Sequence, residues 1–235
     1  MPLPKLNQPI FEMLVPSQNK KVRFRPFLVK EEKILLFAQQ SDNEKDIIFA
    51  IKQILQNCIV DKFDVNSLCT FDLEYMFLKL RSRSVNNVIE VSYRDTEDDK
   101  VYDFTVDLEE VDIIIPSSSS NKIQITDNIG LIMKYPSITL LDNAPENATP
   151  LDMVEYLVRS CIDQVYDEEE VYFVAEQPKE EVDAFIDSLD VDTYEKIRSF
   201  FNELPRMHHK LEYKNSLGHD RVIEMSSLRD FFTLG

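Results

Sequence analysis

Residues 20–33 read Lys20-Lys21-Val22-Arg23-Phe24-Arg25-Pro26-Phe27-Leu28-Val29-Lys30-Glu31-Glu32-Lys33. The first half of this stretch alternates apolar with cationic residues, which is typical of a strand that buries one face and exposes the other. Pro26 interrupts the pattern, and the two glutamates after it suit the first turn of a helix. The stretch therefore predicts a strand over residues 21–27 with Lys21, Arg23 and Arg25 on its exposed face, followed directly by a helix.

Outward from this stretch, the amino-terminal part of the chain indicates a hairpin followed by three helices. Residues 10–15 form a second predicted strand, and the turn residues Pro16-Ser17-Gln18-Asn19 separate it from residues 21–27. Two further helices are indicated by apolar residues that recur every three or four positions, from about residue 43 to 58 and from about 71 to 83.

The middle of the chain changes from helical to strand-like periodicity. Residues 88–93 and 101–108 are rich in β-branched and aromatic residues, and the polar residues between them predict a hairpin loop. Shorter apolar runs follow at residues 111–115, 122–125 and 129–134. The serines at 117–120 indicate a flexible connector. These runs predict a small antiparallel sheet.

The last part of the chain combines acidic helices with short strands. Thr149 and Pro150 are suited to begin a helix, whose apolar stripe continues to Ile162. The elements expected after it are a strand at residues 171–174, helices at 178–189 and 191–204, a hairpin of residues 210–213 and 222–225, and a final helical turn bearing Leu228, Phe231 and Phe232. The two phenylalanines either anchor an interface or attach the end of the chain to its own core, and a terminal amphipathic turn favours the second role.

These patterns together predict an α+β fold, in which helical segments frame a small antiparallel β region and a β-hairpin lies at each end of the chain. The polar, proline-marked residues 142–148 are the best candidate boundary. We therefore divide the chain into residues 1–141, with the first hairpin, the helices and the small sheet, and residues 142–235, with the acidic helices and the last hairpin.

The composition is that of a folded protein. Of the 235 residues, 43% are hydrophobic and 10% are aromatic, which is sufficient for one sizeable core or two small ones. No run approaches the roughly 18 apolar residues that span a bilayer, and the first residues lack the apolar core of a secretion signal, so we expect a cytoplasmic protein without a membrane partner. The three cysteines, Cys58, Cys69 and Cys161, are widely spaced, which indicates buried, reduced thiols.

The net charge of -17 is unevenly distributed. From Asp163 to Glu195 the chain carries thirteen acidic residues and a single lysine, whereas residues 1–35 carry seven lysines or arginines and three glutamates. Fields of opposite sign suit head-to-tail contacts in a homo-oligomer, or contacts with two unlike neighbours. The alternative is that the acidic run is a solvated surface that keeps the protein soluble. Nucleic acid is not an expected partner, since binding a phosphate backbone requires a basic surface.

The sequence contains no recognisable motif for catalysis or for cofactor binding. Its three glycines are too few for a loop that brings successive backbone N–H groups to a phosphate. His208, His209 and His219 lie near the last hairpin without the spacing of a zinc site, and the two predicted hairpin tips at residues 95–100 and 215–220 contain no cysteine. We therefore expect no catalytic residue, no metal and no cofactor, and interpret paired acids such as Glu109 and Glu110 as solvated surface.

The residues alone leave two interpretations of the basic stretch open. In the first it is a docking strand, whose arginines form paired hydrogen bonds to carboxylates of a partner. In the second it is an edge strand whose cations prevent stray pairing, while Phe24, Phe27 and Leu28 lie in the core. The docking interpretation includes the basic exit of the third helix and gives a set of candidate partner-binding residues. The set is Lys21, Arg23, Arg25, Phe27, Lys30, Lys33, Arg81 and Arg83.

Five segments of the chain carry a resemblance to a known family. They are Pro9-Ile10-Phe11-Glu12, Val15-Pro16-Ser17, Lys20-Lys21-Val22-Arg23-Phe24-Arg25-Pro26-Phe27-Leu28-Val29-Lys30-Glu31-Glu32-Lys33, Asp72-Leu73-Glu74-Tyr75 and Leu228-Arg229-Asp230-Phe231-Phe232. In their order along nearly the whole chain they resemble the baseplate hub and hub-assembly proteins of T-even-type contractile-tailed phages. The resemblance implies a non-enzymatic structural or assembly role in the tail baseplate hub, and it favours the docking interpretation.

The resemblance also implies partners and a location. The expected partners are other baseplate hub and tail-tip proteins, with the extended tape-measure protein among the candidates. The protein would be in the host cytoplasm during assembly, and in the tail baseplate of the virion if it is retained there.

Three alternative functions remain open. The first is a chaperone-like assembly factor for the hub that is absent from the mature virion. The second is a hydrolase that uses acidic residues, which would require a pocket with converging carboxylates of raised pKa. The third is a regulator that binds a small ligand or a peptide at a sheet edge or groove.

Overall fold

A computed structural model describes residues 6–40, 44–116, 120–145 and 148–231. In chain order its strands and helices are β1 (Phe11–Val15), β2 (Lys20–Phe24), α1 (Val29–Gln39), α2 (Glu44–Cys58), α3 (Thr70–Ser82), β3 (Val88–Arg94), β4 (Val101–Asp107), β5 (Asp112–Ile114), β6 (Lys122–Gln124), β7 (Gly130–Met133), α4 (Ile138–Asp142), α5 (Pro150–Cys161), β8 (Ile162–Tyr166), β9 (Val171–Phe173), α6 (Lys179–Asp187), α7 (Val191–Asn202), β10 (Arg206–Lys214), β11 (Asp220–Met225) and α8 (Leu228–Phe231). Contacts group the chain into two units, residues 1–114 with 206–235, and residues 115–205.

The first unit begins with the predicted amino-terminal hairpin. β1 and β2 are antiparallel, with Met13 opposite Val22. Asn19 ends the turn between them with a positive φ of 46°, a conformation that asparagine tolerates better than most residues. Met13, Val15, Val22 and Phe24 are buried, and the residues that alternate with them are exposed. The predicted alternation of this hairpin is therefore confirmed.

α3 packs against both this hairpin and α2. The most deeply buried apolar side chains of α2 and α3 include Ile51, Ile54, Leu55, Leu73, Met76, Phe77 and Leu80. Burying each large apolar side chain contributes ~1.5–3 kcal/mol before the lost conformational entropy is subtracted. A polar contact adds to this packing, because the backbone N–H and the hydroxyl of Ser17 donate to Asp72 at 2.9 and 2.5 Å. Asp72 thereby ties the β1–β2 turn to the start of α3.

The remaining strands of the first unit form a two-stranded sheet, β3–β4, and a three-stranded sheet in the order β11–β10–β5. β10 pairs with β11 in the last hairpin and with the much earlier strand β5. Apolar residues of both sheets share one core with α3 and α8. Its buried members are Leu78, Val91, Val106, Leu108, Val111, Met207, Met225 and Phe231. Phe231 thus attaches the last described turn of the chain to the core.

The second unit is a four-stranded antiparallel sheet in the order β6–β7–β8–β9. α5 begins with a reciprocal cap, in which Thr149 Oγ1 accepts from the N–H of Asp152 at 3.2 Å and Asp152 accepts from the N–H of Thr149 at 2.9 Å. Helices α5 and α7 pack on the sheet and build a separate core. Its buried members are Ile123, Leu131, Met133, Val158, Cys161, Ile162, Ile197 and Phe200.

The predicted α+β class, with a hairpin at each end of the chain, is confirmed. The structure groups the chain differently from the predicted division into residues 1–141 and 142–235. β7 precedes the predicted boundary and β8 follows it, yet they are neighbours in one sheet, and β10 returns to β5 in the first unit. Pairing between distant strands leaves no mark on local composition, so the polar stretch alone could not reveal these units.

Among the elements that differ from their predicted extent are β2 and α5. The strand predicted over residues 21–27 ends at Phe24, because Pro26 has no N–H with which to continue the ladder. The helix predicted to include Ile162 ends at Cys161, and Ile162 begins β8, a strand that the sequence did not predict. Predictions attached to residues 117–119 and to Phe232 lie outside the described residues.

Candidate docking surface

The candidate cations belong to β2, α1 and the end of α3. β2 pairs with β1 on one side, and on its other side it is bonded to the segment after α2. Arg25 N–H donates to the carbonyl of Cys58, and Val60 N–H donates to the carbonyl of Arg23, both at 2.9 Å. From Arg23 to Arg25 the chain is therefore bonded on both sides, so this end of β2 offers no open edge to another strand. β2 offers instead an exposed face on which Lys21 and Arg23 lie.

Arg23 is exposed and is also paired within the chain. Its Nε and Nη2 donate to Asp61 Oδ1 at 2.9 and 2.7 Å, and its backbone N–H donates to Asp61 Oδ2 at 2.6 Å. The side-chain hydrogen bond is the largest cause that raises the pKa of Arg23 and lowers the pKa of Asp61, so both groups are charged at neutral pH. Since the Arg23 side chain remains 58% exposed, a carboxylate of another protein can reach it.

Arg25, in contrast, lies inside the first unit. Its Nη2 donates to Glu31 Oε1 at 2.9 Å and to the carbonyl of Asn57 at 3.0 Å, and its Nη1 donates to the carbonyl of Pro26 at 2.9 Å. The side chain of Glu31 is completely buried, and its second oxygen accepts from the N–H of Leu28 at 2.9 Å, at the start of α1. Arg25 therefore serves the fold rather than an exposed surface.

The charges of this internal pair are stabilised against the cost of burial. Burial is the largest single effect and disfavours the charged form of Arg25, but the hydrogen bond with Glu31 and the charge interactions with Cys58 and Glu31 together outweigh it and raise the pKa of the guanidinium. Burial likewise opposes ionisation of Glu31, yet the hydrogen bonds from Arg25 and Leu28 prevail and lower its pKa. The neighbouring Cys58 thiol has its pKa raised by burial to about 11, so it is a neutral, structural group.

The other candidates divide between interior and surface. Phe27 is only 7% exposed, and its N–H donates to Ser84 Oγ at 2.9 Å. Lys21 and Lys30 are exposed, with their Nζ atoms 3.8 Å from Glu12 and 3.3 Å from Glu31, respectively. Lys33 is exposed on α1. Phe27 therefore joins Arg25 in the interior, and the three lysines remain accessible.

The two arginines at the end of α3 also differ in their surroundings. Arg81 is half-buried, and burial lowers its pKa. Arg83 is exposed, with its Nη2 3.2 Å from Glu109 Oε1 and its guanidinium carbon 5.5 Å from the ring centroid of Phe11 on β1. A cavity of about 260 Å³ opens here, and Glu12 borders it together with Arg83. Glu12 is therefore a neighbour both of this cavity, which Arg83 also borders, and of the exposed cations on the hairpin.

We name Glu12, Lys21, Arg23 and Asp61 the hairpin face. It alternates cations with carboxylates, which gives a mixed rather than a purely basic surface. The sequence did not identify the two acidic members of this face, Glu12 and Asp61. Asp61 comes close to Arg23 only through the bonds that hold β2 to the segment after α2. Glu12 was within reach of prediction, since the hairpin register places it opposite Arg23.

The histidines and acids of the described residues form no cluster with the geometry of a metal site. His219 lies with its Nδ1 2.7 Å from Glu97 Oε1, where it links the tips of two hairpins. No helix in the described part of the chain is both long and apolar enough to span a bilayer.

The fold and the hairpin face describe a small α+β protein whose candidate site is a charged surface on a β-hairpin. The family model of the T4 bacteriophage base plate protein matches residues 8–233. The chain therefore belongs to this family and is a phage baseplate protein of T4 type. The family implies a structural component of the virion tail that contacts other baseplate and tail proteins. No curated protein and no solved structure matches the chain.

Proposed function

We propose that this protein is a structural component of the baseplate hub, that it assembles in the host cytoplasm, and that it acts by binding its neighbours without catalysing a reaction. The family match over residues 8–233 carries the baseplate assignment. Support for the hub comes from the five sequence segments that resemble hub and hub-assembly proteins. Among the neighbours we include hub and tail-tip proteins, and the tape-measure protein as a further candidate.

We propose the hairpin face as the docking surface. Lys21 and Arg23 are exposed there beside Glu12 and Asp61, so a partner with the complementary pattern of charges would be oriented as well as attracted. Such mixed charges favour specificity over affinity, because each exposed ion pair contributes only about 0.2–1 kcal/mol. Arg83 borders the same surface through Glu12.

Two of the original candidates change their role in this proposal. Arg25 and Phe27 support the hairpin from inside and do not meet the partner, since one is bonded to buried Glu31 and the other is itself buried. Lys30 and Lys33 stay as candidates on α1, where both side chains are exposed. Half-buried Arg81 contributes less to this surface than exposed Arg83.

The docking proposal is tested by reversing one charge on the hairpin face. We expect Arg23→Glu to fold normally and to lose copurification with tail-tip proteins from infected cells, because the new carboxylate would repel the carboxylate of the partner that faces Arg23. The matched control is Arg94→Glu, at an exposed arginine of the same unit that pairs with exposed Asp99 at 3.2 Å. Copurification of Arg23→Glu at the level of Arg94→Glu would refute docking through this face.

Virions purified from infected cells test whether the protein is retained in the finished particle. We expect mass spectrometry of purified virions to detect it, as a baseplate component requires. If virions lack the protein although their assembly requires it, the protein is instead a hub-assembly factor. Sedimentation of the purified protein would show whether it forms a homo-oligomer before it meets its neighbours.

A further inference from the structure

The second unit ends its sheet with an unusually apolar strand. β9 consists of Val171, Tyr172 and Phe173, which are 53%, 38% and 47% exposed. Among the described residues β9 pairs only with β8, so its outer side is open. An exposed apolar edge of a sheet invites pairing with another strand unless charge, proline or a bulge protects it. β9 itself carries no charge, proline or bulge, and its three residues limit an added strand to a short pairing.

A groove lies beside this edge. It has a volume of about 340 Å³, and Tyr172 of β9 forms part of its wall. Its apolar lining comes from the sheet and from α6, and includes Val165, Val182 and Phe185. The acids Asp167 and Glu181 also line it. A side chain from an added strand would therefore find an apolar site next to the edge, with carboxylates around it.

The charge around the edge selects among possible occupants. The thirteen acids between Asp163 and Glu195, with one lysine among them, include exposed Glu168, Glu169 and Glu170 immediately before β9. A strand that carries cations would be attracted by this field, and an acidic strand would be repelled.

A second copy of this chain fits the edge poorly. An antiparallel pairing of two β9 strands would bring together the acids that flank each strand, Glu168, Glu169 and Glu170 before it and Glu176 after it, and like charges repel. The basic strand of a second copy is not free either, because β2 is bonded on both sides through Arg23 and Arg25.

We propose that β9 and its groove are a second docking site, which binds an extended segment of another protein in which apolar residues alternate with lysine or arginine. The segment adds to the open side of β9 as a further strand. One of its apolar side chains enters the groove beside Tyr172, and its cations lie on the opposite face of the added strand, where the negative field of the surrounding acids attracts them. This site is separate from the hairpin face, so each can be tested without the other.

The test uses the purified full-length protein and a short fluorescein-labelled peptide that alternates lysine with valine and phenylalanine. We expect binding by fluorescence anisotropy at low salt. Two reference peptides define the mode of binding: one replaces lysine with glutamate, and the other is N-methylated at alternate residues to prevent strand pairing. Neither should bind. Equal binding of either reference peptide would overturn strand addition by a cationic segment.

Matched variants locate the peptide on the protein. Glu181→Lys should weaken binding about fivefold, as expected for reversing a surface charge close to a cationic ligand. Its control is Glu180→Lys on the same first turn of α6, since Glu180 does not line the groove. Phe173→Ser should also weaken binding, whereas Phe49→Ser, at an exposed phenylalanine of α2, should not. If the two variants of each pair weaken peptide binding equally, the peptide does not bind at β9 and its groove.

Self-association is a separate outcome. If sedimentation shows a concentration-dependent dimer that Phe173→Ser abolishes and Phe49→Ser preserves, the occupant is a second copy, and the proposal of a cationic partner is wrong. A monomer that binds the lysine peptide supports the proposal. Neither result depends on whether Arg23 docks to tail-tip proteins.

Discussion

Arg25 joins three parts of the first unit through one guanidinium group. It bonds to Glu31 on α1, to the carbonyl of Asn57 near the end of α2, and to the carbonyl of Pro26 next to it. The side chain of Glu31 has no exposed surface, so its charge depends on these neighbours. A buried pair of this kind contributes little against an apolar replacement of both partners, but the loss of one partner strands the other charge.

We therefore expect Arg25→Met to lower the free energy of unfolding by about 3 kcal/mol. The double variant Arg25→Met/Glu31→Met should recover most of this loss, because it leaves no unpaired buried charge. Urea denaturation of the three proteins measures both effects. If Arg25→Met proves as stable as the unmodified protein, Arg25 is not the internal support that its contacts indicate.

The same residue shows where sequence reasoning succeeds and where it stops. Alternation correctly placed Val22 and Phe24 inside and Lys21 and Arg23 outside, because side chains of a strand alternate by geometry alone. It could not show that Arg25 turns inward, since its partner Glu31 is placed by the bend at Pro26 and by the start of α1. The alternation of residues within one strand carries no information about contacts that form after such a bend.

At the scale of elements, the tips of two hairpins are locked together by buried and half-buried polar groups. Asp95, at the β3–β4 tip, is fully buried. It accepts from the hydroxyl of Tyr213 on β10 and from Nε of Arg221 on β11, the latter at 3.0 Å. Burial and the bond to Asp95 raise the pKa of Tyr213 to about 12, so the tyrosine remains a donor at neutral pH.

Asp98 adds a second lock between the same two tips. Its Oδ2 accepts from the N–H and the hydroxyl of Ser216 at 3.0 and 2.8 Å, and from the hydroxyl of Tyr102 at 2.6 Å. The bond from Tyr102 is the largest of the causes that hold the pKa of Asp98 far below its usual range. The carboxylate form is therefore the form that holds the tips together.

This lock predicts how stability depends on pH. A carboxyl group with a lowered pKa in the folded protein stabilises the fold above its unfolded pKa, about 3.9, and that contribution is lost as the pH falls through the folded value. We expect Asp98→Asn to be less stable than the unmodified protein at neutral pH and to lose less stability below about pH 4. Urea denaturation across that pH range measures the difference.

The adjacent Asp99 supplies the control. Its side chain is 85% exposed and pairs with exposed Arg94, and asparagine tolerates its positive φ of 56°. Asp99→Asn should keep the acid dependence of the unmodified protein. If the free energy of unfolding falls with pH in parallel for Asp98→Asn and the unmodified protein, the Asp98 carboxylate does not stabilise the contact between the two hairpin tips.

The limits of sequence reasoning at this scale have the same origin. The two hairpins were predicted, because β-branched runs and polar tips are local signals. The lock between Asp95 and Arg221 was not, since it depends on how the hairpins meet. β8 was missed for a related reason: Ile162 continues the apolar pattern of α5 without a break, and only pairing with β7 and β9 makes it a strand.

At the scale of the whole molecule, the second unit is inserted into the first between two paired strands. Ile114 at the end of β5 lies opposite Arg206 at the start of β10, and residues 115–205, which form the second unit, connect them. Each unit contains its own cluster of buried apolar residues. Insertions that leave and re-enter a host fold at adjacent positions are tolerated well.

This topology predicts that the second unit can be removed. Replacing residues 115–205 by Asn-Gly would join Ile114 to Arg206 through a two-residue hairpin turn, which suits paired antiparallel strands. We expect the shortened protein to stay folded, with a cooperative urea transition, because β5 keeps its pairing with β10 and the core around Val111 and Met207 is retained. Circular dichroism and urea denaturation would detect the loss of that fold.

The shortened protein should also separate the two proposed docking sites. It retains the hairpin face, so its copurification with tail-tip proteins should still depend on Arg23, and it lacks β9, so it should not bind the lysine peptide. Arg94→Glu in the shortened chain is again the matched control. An unfolded product would show that the first unit depends on the second, and a folded product that still binds the peptide would place that binding elsewhere than β9.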